Sequence, residues 1–121
     1  MAIQKVNLRE KFSLFDDPWS PKIVGQVNDC CVKLVKLKGE FLWHHHEAED
    51  ELFLVVHGRL RMRFRDRDVW VEEGEFLIVP RGVEHLPVAE VETHVLLLEP
   101  ASTRNTGNLE NERTVANPAR L

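Results

Sequence analysis

From residue 59 to residue 65, arginine alternates with apolar side chains without a break: Arg59, Arg61, Arg63 and Arg65 against Leu60, Met62 and Phe64. A period of two belongs to a half-buried strand, with one face in a core and the other in water. Further β-rich runs surround it at 51–57, 69–71, 76–79 and 93–98, separated by Gly58, Gly74, Pro80, Gly82, Pro87 and Pro100. Two more runs, 23–27 and 31–37, flank Asn28-Asp29 as a hairpin. Short strands at this spacing, with almost no helical periodicity between them, predict an all-β sandwich or barrel. One short helix is expected over 8–15. Asn7 and Glu10 form a capping box, Leu8, Phe12 and Phe15 supply an apolar stripe, and Asp16-Asp17-Pro18 ends it.

The chain has 121 residues and a mass of 14.1 kDa, enough for one domain (1–121) whose core is expected at about 22–99. Residues 1–21 read as an N-terminal segment. Residues 100–121 read as a polar tail, either a loose terminus or an arm laid across the barrel or a partner. A net charge of −4 argues against a nucleic-acid-binding protein. No apolar run approaches the ~20 residues of a bilayer span, and the start lacks a secretory layout. Cys30 and Cys31 are neighbours on a strand and point to opposite faces, so they read as reduced thiols in a cytoplasmic protein. The arginine stripe reads as a solvated outer face balanced by Glu72, Glu73 and Glu75.

The histidines carry the chemistry. On an extended chain His44 and His46 share one face and His45 takes the other. A turn through 47–50 would return Glu51 beside them, and the turn before His85 would lower a third imidazole onto the group. Three neutral imidazoles and one carboxylate suit a divalent first-row metal: Fe, Mn, Ni, Zn or Cu. A histidine cluster also arises as a solvated loop or an adventitious chelator, and these residues by themselves leave that open. His57 shares parity with Glu51, Phe53 and Val55, so it either lines the barrel or ends its strand beside a turn. His94 is either a neighbour of the site or a satisfied strand residue. Ser13, Ser20 and Ser102 have no His–Asp context, so no nucleophile stands out.

Two motifs stand in order: Gly39-x4-His44-x-His46-x4-Glu51-x6-Gly58 and Gly74-x5-Pro80-x-Gly82-x2-His85. In both, the chain resembles the cupin superfamily. It departs from the family pattern in two places. Gly39 lies one residue closer to His44 than usual, and Ala89 stands where the second motif usually ends in Asn. The resemblance implies a jelly-roll barrel with His44, His46, Glu51 and His85 as metal ligands. Strand parity inside such a barrel makes Leu42, Phe53, Val55, His57, Leu60, Met62, Phe64, Phe76 and Ile78 the pocket wall, with Arg81 at the rim. Few charges other than the ligands are expected on that face. Small cupins of this kind are labelled similar to mannose-6-phosphate isomerase. The implied function is metal-dependent, oxygenase- or isomerase-type chemistry on a small chelating molecule. A non-catalytic binding or sensing module, or a structural cupin with a vestigial site, are the alternatives. Phe41 and Trp43 are expected to point away from His44, and Leu52, Leu54 and Val56 away from Glu51. Strands apolar on both faces need a cover on both, from the N-terminal segment or from the second subunit of a homodimer.

Overall fold

The computed structural model describes residues 3–121. A sixteen-residue strand near the C-terminus organises it. In chain order the elements are α1 (Leu8–Phe12), β1 (Lys22–Val27), β2 (Cys30–Glu40), β3 (Glu51–His57), β4 (Arg59–Phe64), β5 (Asp68–Glu72), β6 (Phe76–Val79) and β7 (His85–Pro100). The first part of β7 pairs with β4, from Phe64↔His85 to Arg61↔Val88. Its second part runs between β2 and β3, where Val95 faces both Val35 and Val55. The antiparallel sheet β1-β2-β7-β3-β6 therefore continues through β7 into β4 and β5 and folds over on itself as a jelly roll. Among the described residues no helix is long and apolar enough to cross a membrane.

Alternation fills the interior as expected. Phe53 and Val55 from β3, Leu60 and Met62 from β4, and Val95 and Leu97 from β7 are buried in one cluster with Val35 and Leu37. The opposite side of β2 is covered as well. Leu34 packs under Phe12 and Phe15, with Val56, Leu96 and Leu121 against them. The N-terminal segment thus supplies part of the second cover. The helix is shorter than expected, five residues, with the Asn7 side chain accepting from the Glu10 amide at 3.0 Å. So short a helix cannot persist without packing, and only Phe12 of it is buried.

Three wall assignments fail on strand parity. His57 faces water and sits 3.3 Å from Glu73, because a bulge between Val55 and His57 breaks the β3–β7 register. Phe76 and Ile78 are 60% and 52% exposed, while Leu77 and Val79 turn inward. A four-residue strand after a tight turn carries too few positions to announce its own parity. The arginine stripe is solvated, and of its expected partners Glu72 alone pairs with it. Arg59 pairs with Glu72, Arg61 and Arg63 with Asp68, and Arg65 with Glu84. Glu73 and Glu75 accept from the Gly58 and Glu72 amides instead.

Gly58 makes the β3–β4 turn with φ +92°, and a Cβ there would stand 2.7 Å from Thr93 Oγ1 and 2.9 Å from the Glu92 carbonyl. Gly58→Ala is therefore expected to cost about 2–3 kcal/mol in urea unfolding. A change within 0.5 kcal/mol, roughly the size of an ordinary surface substitution, would refute that account of the turn.

Candidate metal centre

His44 and His46 lie in the irregular connection between β2 and β3, which needs outside support to hold a shape. The His44 amide donates to the His85 carbonyl at 3.1 Å and the His85 amide donates back at 2.9 Å. The His46 carbonyl accepts from the Gly82 amide at 2.7 Å. These bonds fasten the histidine segment to the turn that the second motif builds. Glu51 is the first residue of β3 and points inward, and His85 is the first of β7. All four side chains are buried, and one ligand atom from each lies within 4.8 Å of the others.

The protonation states suit a cation. His44 Nδ1 donates to the Leu42 carbonyl and His85 Nδ1 to the Val83 carbonyl, both at 2.9 Å, which leaves each Nε2 with a free lone pair. Burial, helped by the neighbouring His85, pushes the His44 pKa down to about 4, so its ring is neutral at physiological pH. Burial works against a charge on Glu51. The close His46 and His85 rings outweigh it and hold the carboxyl well below its ordinary range. The Nε2 atoms of His46 and His85 stand 3.2 and 3.5 Å from Glu51 Oε1, and none of these three buried atoms has a well-formed hydrogen bond. Unsatisfied buried polar atoms cost roughly 1–3 kcal/mol each. A divalent ion at their meeting point would satisfy all of them at once, so the residues present fit a metal.

Beside this group lies a cavity of about 40 Å³. At about 10–15 Å³ for each water it has room for roughly three. Phe53 and Leu97 form its apolar floor, and His44, Glu51 and Glu99 its polar side. Its cover is an aromatic pair, Trp19 stacked on Phe41 at 4.7 Å. Trp19 holds a left-handed φ of +60°, fixed by its amide on the Lys36 carbonyl and its Nε1 on the Lys38 carbonyl, both 2.8 Å. Such a conformation persists only where the surroundings enforce it. Phe41, expected to turn away, lies edge-on to His44 at 5.5 Å; it falls just past Glu40, where β2 ends. Trp43 does lie outside, stacked under Arg65.

Of the other expected wall residues, Val55, Leu60 and Met62 sit in the core cluster and Phe64 packs partly buried against it. Leu42 is half-buried and contributes its carbonyl to His44. Arg81 is exposed, with its amide donating to Asp50 at 2.9 Å. His45 is half-buried, 3.6 Å from Glu47. His94 stacks on Phe12 and reaches Glu92 at 2.9 Å, away from the ligand group.

Two further charges lie inside the barrel. Lys33 and Glu99 form a buried pair at 2.8 Å, 4% and 2% exposed. Burial and the nearby charge of Glu51 push the Glu99 carboxyl well up, against the pull of Lys33. Parity held the signal: Lys33 alternates with Val35 and Leu37, and Glu99 with Val95 and Leu97.

The tail takes the arm alternative. Thr103 and Thr106 are buried, Arg120 bridges Ile23, and the Leu121 amide donates to the Ile23 carbonyl.

Comparison with known proteins places this geometry. The cupin domain profile matches residues 33–99. The chain is 44% identical to a cupin-2 domain containing protein of Shewanella frigidimarina, with a TM-score of 0.78 over 78% of this chain and 93% of that one. It is 29% identical to protein NMB1881 of Neisseria meningitidis, with a TM-score of 0.75 over 81% of this chain and all of that one. The protein YdbB of Bacillus subtilis is 39% identical over 77 residues, 63% of this chain and 68% of that one.

Proposed function

The chain belongs to the cupin domain family, and on that premise we propose that it is a metal-binding cupin acting on a small chelating organic molecule. The observation that carries this is the convergence of unpartnered, buried His46 Nε2, His85 Nε2 and Glu51 Oε1, with His44 beside them. His44, His46, Glu51 and His85 would hold the ion, and Fe, Mn, Ni, Zn and Cu all accept such a set. A bound divalent metal would supply Lewis-acid or redox chemistry at positions the protein leaves open. The chain's own residues line the cavity: Trp19 and Phe41 flank it as a stacked pair, and Phe53 and Leu97 present an apolar surface. None of the residues lining the cavity is Lys or Arg, which favours a neutral ligand over a sugar phosphate. Oxygenase-type or isomerase-type turnover fits this setting. A non-catalytic sensing module using the same cavity is the second reading. Oxygen uptake by the Fe(II)-loaded chain across small diketones, thiols and phenols separates the two.

The direct test is metal analysis of untagged protein from unsupplemented cells, followed by anomalous scattering at the metal edges. Close to one equivalent per chain, held by the four side chains, is the expected result. Protein that arrives empty and takes up none of the five metals would end the reading.

A homodimer belongs to the same proposal. The outer face of β3 and β6 carries exposed Phe76 and Ile78 directly opposite half-buried Leu54 and Leu52, on the open edge of the sheet. Light scattering at micromolar concentration should give twice the chain mass; a monomer would refute it. Unpaired Cys30 and Cys31 and the ion-paired arginines support a cytoplasmic protein that does not bind nucleic acid.

A further inference from the structure

The four ligand residues all fall within residues 33–99, the span that the cupin profile covers. The segment beyond Pro100 does not, yet it reaches the ligand segment directly. Asn108 grips His45 from both sides: its Oδ1 accepts from the His45 amide and its own amide donates to the His45 carbonyl, each at 2.9 Å. His45 separates the two histidine ligands, so these bonds set the path of the backbone that carries both. Gly107, at φ +59°, lies so close that a Cβ would overlap the His45 carbonyl oxygen and stand 3.0 Å from His44 Cδ2.

The latch is itself held. Thr106 is fully buried, with its hydroxyl on the Leu109 carbonyl and on Thr114. Asn105, which lines the cavity, is fixed through its side chain by the Val115 amide and the Arg113 carbonyl. Arg113 in turn donates to the Glu40 carbonyl at the end of β2 and lies over the Phe41 ring. A purely solvating tail would not spend its buried hydroxyl and paired amides on one turn of backbone.

We infer that the C-terminal arm is a working part of the metal centre, and that Asn108 is the positioning residue that sets the His44–His46 segment for metal binding. This rests on the metal reading above. The histidine segment has no regular structure of its own, and a loop ligand is only as well placed as its supports. Asn108 is exposed, so its role can be tested without opening the core.

The experiment uses the full untagged chain titrated with Co²⁺, following the visible ligand-field absorption, beside urea unfolding of the metal-free protein. Asn108→Ala removes the acceptor for the His45 amide. It is expected to weaken Co²⁺ about tenfold, within the range typical of groups that orient ligands, and to alter the band pattern. The metal-free unfolding midpoint should barely move. Asn108→Asp keeps the acceptor oxygen and should restore affinity to within about threefold and the wild-type spectrum with it. Gly107→Ala, which presses on the His45 carbonyl and the His44 ring, should weaken Co²⁺ at least as much as Asn108→Ala. Wild-type affinity and spectrum in Asn108→Ala would overturn the inference and leave the metal reading intact. So would an Asn108→Asp that behaves like Asn108→Ala. A wild-type chain that takes up neither Co²⁺ nor any of the five metals would overturn both.

Discussion

Replacing His85 with alanine is expected to abolish stoichiometric metal binding and the metal-linked part of the stability. His85 is fully buried, bonded through Nδ1 to the Val83 carbonyl, and its Nε2 faces Glu51 and the other two histidines. Its backbone also forms the two-way bridge to His44. Alanine keeps that bridge and removes only the imidazole, so the other three ligands stay in place. An ion at a thousand times its dissociation constant stabilises the folded chain by about 4 kcal/mol, roughly 10–20 °C in a domain of this size. The wild type should show that rise on adding metal, and His85→Ala should not. Metal-free His85→Ala should stay folded, since the ring it loses had an unpartnered nitrogen. Metal that remains with His85→Ala in the same amount as with the wild type would place binding elsewhere, on exposed side chains.

How much of this could be read beforehand depends on which physical rule each element obeys. β4 follows strict alternation, and its boundaries and inward face were legible from Leu60, Met62 and Phe64 alone. The ligand group was legible through spacing: His44 and His46 share a face, and a turn of four residues returns Glu51. His57 was not legible, because a bulge after Val55 depends on pairing with β7, a partner remote in sequence. Phe41 and Trp19 were not, because an irregular segment and a left-handed residue have no periodicity to follow. The tail stayed open between a loose terminus and an arm for a different reason. Its contacts are made by Asn and Thr side chains with backbone, the same residue types that a free tail contains. Lys33 and Glu99 stood in plain alternation with core residues, and their charge made the solvent face look the natural place for them.

That buried pair carries the second large expected effect. Lys33→Met removes the ammonium that opposes the upward push on Glu99 and strands a carboxyl beside Glu51. Breaking one side of a buried ion pair costs about 3–5 kcal/mol, whereas replacing both sides by apolar groups of similar size is often neutral. Lys33→Met should therefore unfold at much lower urea than the wild type, and Lys33→Met/Glu99→Leu should recover most of the loss. The sign of the pH dependence follows from Glu99. Its folded carboxyl lies well above the ordinary 4.5 through burial and the charge of Glu51. A raised carboxyl contributes its stability below 4.5 and loses it as pH rises towards the folded value. With Lys33 gone the folded value rises further, so the deficit of Lys33→Met should stay constant while Glu99 is protonated in both folded chains and grow once pH passes the raised folded value of the wild type. The double variant has no such group, so its deficit against the wild type should narrow as pH rises from 4.5. A deficit in Lys33→Met that stays the same from pH 4.5 to the alkaline limit of folding would mean that lost packing of the lysine stem, not the stranded carboxyl, is the cost.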